Sequence, residues 1–308
     1  MIRRHLAAAG AVLLVLAACS PDTPASDGAA SHTPTGETVS GDGISLIDAA
    51  GRRLTLEAPP LRIVALVPAA NDILLALGDT ARLVGRTNFD TLPALQHLPS
   101  VGGGLGPDLE VLSTLAPDLV IRFEGSSDTT TPARLDELGI AHLAVRPDQI
   151  ADVFDMITWL GRVTGRTERA EALASDLRAQ LDAVREQTRN QPPVRAVFLM
   201  GGTPPWTAGP GTFIDELITL AGGVNALADL PELYAAVNPE VLATRAIDVV
   251  LTAPGVELDE RITRQRRVAR VTSDVVIPGP SLGRAARDVA KALHPGLNLV
   301  DLQEPPQP

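Results

Sequence analysis

Apolar residues along this chain fall into short blocks that alternate between two periods. Arg62–Val67, Leu119–Phe123, His142–Val145, Arg195–Met200 and Asp248–Thr252 are runs of strand length, most of them almost wholly apolar. Strands buried on both faces have that texture. Between them stand segments with helical spacing: Asn71–Leu77, Leu109–Leu115, Pro132–Leu138, Phe213–Ala221, Pro239–Thr244 and a last one near Arg284–Leu293. Asn71 or Asp72 is the expected cap of the first, Gly78 its stop, and Pro117 breaks the second. Ile44–Ile47 and Arg53–Leu56, on either side of Ala-Ala-Gly, predict a hairpin. From 148 to 190 the period is helical throughout, with Val153, Ile157 and Leu160, then Ala170, Leu173, Leu177, Leu181 and Val184; Gly165 divides the block into two helices. Strand–helix alternation predicts an α/β fold with mostly parallel sheets. A helical block between two such regions predicts two Rossmann-like lobes, 44–147 and 191–308, joined through helices at 148–190.

The two flanks also match each other. DLEVLSTLAPDLVI at 108–121 aligns with NPEVLATRAIDVVL at 238–251, with seven identities in fourteen: Glu110/Glu240, Val111/Val241, Leu112/Leu242, Thr114/Thr244, Ala116/Ala246, Asp118/Asp248 and Val120/Val250. NDILLALG at 71–78 and FIDELITLAGG at 213–223 form a weaker second pair, each a helix ending in glycine. The pattern predicts two related lobes.

The N-terminus has another texture. Arg3 and Arg4 precede a charge-free apolar run, Leu6–Leu16, and Leu16-Ala17-Ala18-Cys19 places small residues before the only cysteine of the 308 residues. The run is short for a bilayer span, and its build is that of a secretory signal. The tetrapeptide resembles the bacterial lipobox, which implies cleavage after residue 18 and diacylation of Cys19. The paired arginines also raise a twin-arginine export route. Residues 20–43 are Ser, Thr, Pro, Gly, Ala and Asp with few apolar positions. They cannot form a core, so a tether is expected, with a reach on the order of 25–30 Å.

The formal charge of −11 argues against nucleic acid as a partner. The five histidines, His5, His32, His97, His142 and His294, are scattered and form no metal-ligand spacing. There is no G-x-S-x-G elbow, and the glycine run 102–106 is followed by no P-loop lysine. Neither catalysis nor a resident cofactor is expected.

Several segments, in this order and spacing, carry a resemblance over about 44–296: DAAGRRLTL, RIVALVPAANDILLALGDTARLVGRT, SVGGGLGPDLEVLSTLAPDLVI, GRVTGRTERAEAL, GTFIDELITLAGGVN, YAAVNPEVLATRAIDVVL and ALHPG. The chain resembles the periplasmic binding proteins of the cobalamin and iron-siderophore family, the substrate receptors of ABC importers. The resemblance implies two α/β lobes with a rigid helical connection (class III), a ligand in the cleft between them, and small lobe motions. It also implies a monomer that delivers its ligand to a permease dimer with ATPase subunits, on the periplasmic or outer face of a cell membrane. Glu110 and Glu240, one per lobe, fall where cobalamin members dock into permease arginines, although a carboxylate in a first helical turn is also favourable with the helix dipole. Phe89, Phe123, Trp206 and Tyr234 fall at positions bordering the cleft, with Asn88 and Arg122 beside them; Arg86 and Arg122 are also the candidate partners of an anionic chelate. The chain departs from cobalamin members at Gly102-Gly103-Gly104, where an aromatic often stands, and the tyrosine iron ligand of haem-binding relatives is missing there. The expected ligand is a corrinoid, with a ferric siderophore second, haem third, and zinc or manganese a distant alternative.

Overall fold

The computed structural model describes residues 43–125, 128–264 and 266–299; Cys19, the signal segment and all of the tether but Gly43 lie outside them. The chain opens with a hairpin, β1 (Ile44–Ile47) and β2 (Arg53–Leu56), paired antiparallel. Its turn is organised by buried Asp48, whose carboxylate accepts from the backbone of Ala50, Arg52 and Ala144.

The N-terminal lobe contains β3 (Ile63–Ala65), helix α1 (Pro68–Ala76), β4 (Leu83–Gly85), α2 (Leu109–Thr114), β5 (Leu119–Phe123), α3 (Thr130–Glu137) and β6 (His142–Val145). Its sheet runs β4-β3-β5-β6, all parallel. Helix α1 begins three residues before the expected Asn71. Pro68 sits in its first turn, where a missing N–H costs nothing, and Val67 is the capping position. Asn71 is instead fully buried, donating to Ala65 O and Asp90 Oδ1.

Two helices follow, α4 (Ile150–Thr164) and α5 (Thr167–Thr188), which pack on each other. Gly165 between them is in the left-handed region, φ 73°, and closes α4. The junction is clamped to the N-terminal lobe: buried Asp79 accepts from Arg82 and Arg166, and Arg169 donates to Leu77 O.

The C-terminal lobe holds β7 (Val194–Gly201), β8 (Trp206–Ala208), α6 (Phe213–Leu220), β9 (Gly223–Asn225), β10 (Tyr234–Ala236), α7 (Pro239–Thr244), β11 (Val249–Thr252), α8 (Glu260–Thr263), β12 (Arg267–Arg270) and α9 (Leu282–Leu293). Strands β9, β7, β11 and β12 are parallel and lie in the same order as β4, β3, β5 and β6. This lobe differs by a ribbon: β8 runs antiparallel to the last part of β7, and β10 antiparallel to β8. Trp206 and Tyr234 lie outside the segments that the sequence pattern predicts as strands, yet both open strands of this ribbon.

One continuous core includes the inward faces of both sheets together with α1, α4, α5, α6 and α9. Two smaller cores repeat each other. Leu112 and Val120 anchor the first under α2, and their counterparts Leu242 and Val250 anchor the second under α7. From Pro107 to Val120 and from Val237 to Val250 the same positions are buried, half-buried and exposed, except that Val111 is half-buried and Val241 exposed. Asp118 and Asp248 play one role in both lobes. Each carboxylate accepts from the backbone N–H of the residue beside the neighbouring strand, Arg62 or Arg195, and each backbone N–H donates to that residue's carbonyl at 2.8 Å.

Candidate functional site

In sheets of this strand order the crevice for a ligand opens at the carboxyl ends of the strands where the order reverses, here between β3 and β5 and between β7 and β11. On the N-terminal side that edge carries two loops. The first is a compact turn in which Asp90 Oδ2 accepts from Thr87 N and Oγ1, at 2.6 and 2.8 Å, and Phe89 N donates to Thr87 Oγ1. It presents Phe89, 67 % exposed. The second is the glycine run, joined to the first by Asn88 N donating to Gly102 O and Ser100 Oγ donating to Asn88 Oδ1. Gly104 lies against the end of β3: a Cβ there would meet Leu66 O at 2.3 Å, so only glycine fits. Leu105, at the tip, is half exposed.

On the C-terminal side the ribbon supplies the aromatics. Tyr234 pairs with Ala208 and Ala236 with Trp206, which puts Trp206 and Tyr234 on one face as diagonal neighbours. With Met200, Gly201 and Gly202 they line a cavity of about 510 Å³. Trp206 is half exposed, leaving indole surface open to a ligand. Burial, and then the nearby Asp148 carboxylate, push the Tyr234 phenol above its ordinary pKa, so it stays a neutral donor. Gly202 also borders a neighbouring cavity of about 1000 Å³, lined by Pro204, Pro205, Asn238, Leu258 and Arg261. The C-terminal lobe meets the start of the linking helices, where Phe213 N donates to Asp148 O and Ile150 N donates to Glu216 Oε2, and it meets the N-terminal lobe where Gly279 rests on Ala69 and Asp72.

The expected cleft residues are therefore not alike. Trp206 and Tyr234 share a cavity. Phe89 and Asn88 stand at the opposite edge, Asn88 with its amide oxygen engaged. Phe123 ends β5 half-buried against the main core, its ring over Gly125. Arg122 departs from the expectation: it is 4 % exposed and its guanidinium is taken up by His142 Nδ1, Phe123 O and Glu124. Its position in the middle of a buried strand directs it inward, toward α3 and β6. His142 has burial as the main cause of its lowered pKa, with Asp136 accepting at its other nitrogen in a partly opposing contact. His97 is exposed. Among the described residues no group of three or more His, Cys, Asp or Glu is placed to hold a metal. Met200, Leu105 and the Gly201-Gly202 pair were not among the expected residues. The glycine pair after a strand was the available signal.

Glu110 and Glu240 occupy the same place in α2 and α7. Both are exposed in the first turn, behind a capping side chain: Asp108 accepts from Glu110 N and Val111 N, and Asn238 accepts from Glu240 N. Neither glutamate is in an ion pair among the described residues. The caps fix the backbone of each turn; Glu240 lies within the field of the Arg261 guanidinium.

Two lobes of one parallel topology, held by packed helices, with an aromatic-lined cavity on the C-terminal one, define a ligand-capturing protein of the class III type. Residues 63–273 match the periplasmic binding protein family, and the chain belongs to that family. It is 26 % identical over 270 residues to the ABC transporter substrate-binding lipoprotein YvrC of Bacillus subtilis, which covers 82 % of this chain and 86 % of that one. It is 33 % identical over 222 residues to a cobalamin-binding protein of Halobacterium salinarum, covering 69 % of this chain and 58 % of that one. Among solved structures, the periplasmic vitamin B12-binding protein BtuF of Vibrio cholerae superposes with a TM-score of 0.68 at 25 % identity, covering 76 % of this chain and 97 % of BtuF. The haem-binding protein RhuT of Roseiflexus superposes equally well, at 27 % identity, covering 77 % and 99 %.

Proposed function

We propose that this chain is the substrate-binding lipoprotein of an ABC importer and captures a corrinoid between its lobes. The carrying observation is the Trp206–Tyr234 face of the ribbon, a flat, partly open aromatic surface beside a cavity of about 510 Å³. Such a surface suits a broad macrocycle, with Phe89 approaching from the other lobe. Relatives named for cobalamin and vitamin B12 support this choice. Glu110 and Glu240 then dock to basic residues of the permease dimer, where exposed charges set orientation and encounter rate more than affinity. Lipid on Cys19 holds the protein at the membrane, and two acyl chains suffice for stable anchoring. The role is delivery to the permease, with no reaction catalysed.

Haem is the second reading, favoured by the haem-binding neighbour. It needs an axial iron ligand. Tyr234 is the chain's only tyrosine, and its raised pKa works against the phenolate form. Ferric siderophores would want exposed arginines, and Arg122 is internally paired.

Titrating the purified protein with cyanocobalamin, haemin and ferric siderophores, read by tryptophan fluorescence and ligand absorbance, tests this. Saturable one-to-one binding of cyanocobalamin is expected. Binding of haemin or a ferric siderophore in its place, or of none of the three, overturns the corrinoid assignment.

A further inference from the structure

The segment after β12 crosses to the N-terminal lobe. Gly279 is buried against the first turns of α1: a side-chain carbon there would lie 3.7 Å from Ala69 O and 3.8 Å from Asp72 Cβ. Helix α1 leaves the carboxyl end of β3, and the Ser273–Gly279 segment follows the carboxyl end of β12. The contact therefore forms the floor of the cleft, between elements that must separate if the lobes part. Asp72 is half-buried there. Among the described residues it makes no hydrogen bond and no ion pair.

Two further carboxylates face it. Asp90, in the loop after β4, is buried and bound by Thr87 and Asn71. Asp274 comes from the other lobe, in the turn Ser273–Val276, and is paired with Arg284 of α9 at 2.6 Å. From α1 itself the neighbour is the neutral amide of Asn71, whose Oδ1 is buried without a partner. The only cation in this set, Arg284, is committed to Asp274.

We propose that Asp72 is a proton-controlled latch between the lobes: protonated, it lets α1 and the 274–279 segment stay in contact, and ionised, it loosens that contact and widens the cleft. This rests on the lobe-to-lobe contact and is independent of which ligand the cleft holds. Burial first, then the Asp90 and Asp274 charges, raise the Asp72 carboxyl to about 7 from 3.8. A raised carboxyl favours the closed packing at low pH. That contribution is fully present below the ordinary value of 3.8 and is lost as pH rises through about 7. The latch therefore works across neutral pH, where an exported receptor meets its surroundings.

Spin labels at Ala133→Cys and Val224→Cys, both at exposed positions and in different lobes, in a Cys19→Ser background, report the lobe separation by pulsed dipolar spectroscopy. Between pH 5.5 and 8.5 the distance distribution is expected to lengthen or broaden with a midpoint near 7. Asp72→Asn, neutral at both pH values, should hold the pH 5.5 distribution throughout. Asp274→Asn should move the midpoint to lower pH, because one repelling charge is gone. Melting curves of each variant at pH 5.5 confirm folding. A distribution that does not change with pH, or the same pH response in Asp72→Asn as in wild type, overturns the proposal.

Discussion

The two lobes share a frame and differ in what is set into it. Both carry four parallel strands in one order, a short capped helix with an exposed glutamate, and an aspartate that clamps the next strand to its neighbour. The insertions at the carboxyl edges differ. The N-terminal lobe passes from β3 almost directly into α1 and places its irregular segment, Arg86–Asp108, between β4 and α2. The C-terminal lobe adds a ribbon, β8 with β10, and with it the Trp206–Tyr234 surface. In the proposed docking, the duplicated part offers one carboxylate per lobe to a partner with two equivalent halves. The unduplicated part faces a ligand that has no reason to be symmetric.

That contrast has consequences of graded size. The largest concern the repeated small cores. Leu112 and Leu242 are both fully buried beneath their helices, and Leu112→Ala and Leu242→Ala should each cost about 2–5 kcal/mol in urea unfolding. If the frames are equivalent, the two costs agree to within about 1 kcal/mol, a spread smaller than that between unrelated core leucines. A several-fold disparity would break the equivalence. The next effect tests the asymmetry. Trp206→Ala should weaken cyanocobalamin binding about 10- to 100-fold, the value of burying half an aromatic ring or more. Phe89→Ala, on a loop with no aromatic partner among the described residues, should cost less than about tenfold. Equal losses would mean that the two faces share the ligand evenly.

The smallest effect lies in the clamps. The Arg195 guanidinium and backbone hold the Asp248 carboxyl below its ordinary value. A lowered carboxyl stabilises the fold above about pH 4 and ceases to do so as pH falls through its native value. The contact is solvent-exposed and screened. Arg195→Ala should therefore lower the urea midpoint slightly at pH 7, with the difference from wild type shrinking at pH 2.

Much of the frame is legible in the sequence because it is local. The hairpin, β5 and β6 follow from runs of strand length, the α4–α5 break from Gly165, and the likeness of α2 and α7 from seven shared residues. The features that escaped depend on distant partners. β8 and β10 are three residues each, Trp206-Thr-Ala and Tyr234-Ala-Ala, beside Pro204-Pro205 and too short for any period to emerge. They become strands only by pairing with β7 and with each other. The start of α1 was hidden because Asn71 and Asp72 read as caps while Pro68 opens the helix, and Asn71 is spent on Asp90. Arg122 read as a cleft cation because no local pattern reveals that His142 and Glu124 stand ready to take it. The equivalence of Glu110 and Glu240 is legible because the repeat that carries it lies in their immediate neighbours.

The most direct test separates docking from capture in one protein. In Glu110→Ala with Glu240→Ala, cyanocobalamin affinity and ligand uptake by cells are measured side by side. Unchanged affinity with uptake lost is the predicted result; lost affinity, or uptake that continues at the wild-type rate, would contradict a shared docking frame carrying a separate ligand face.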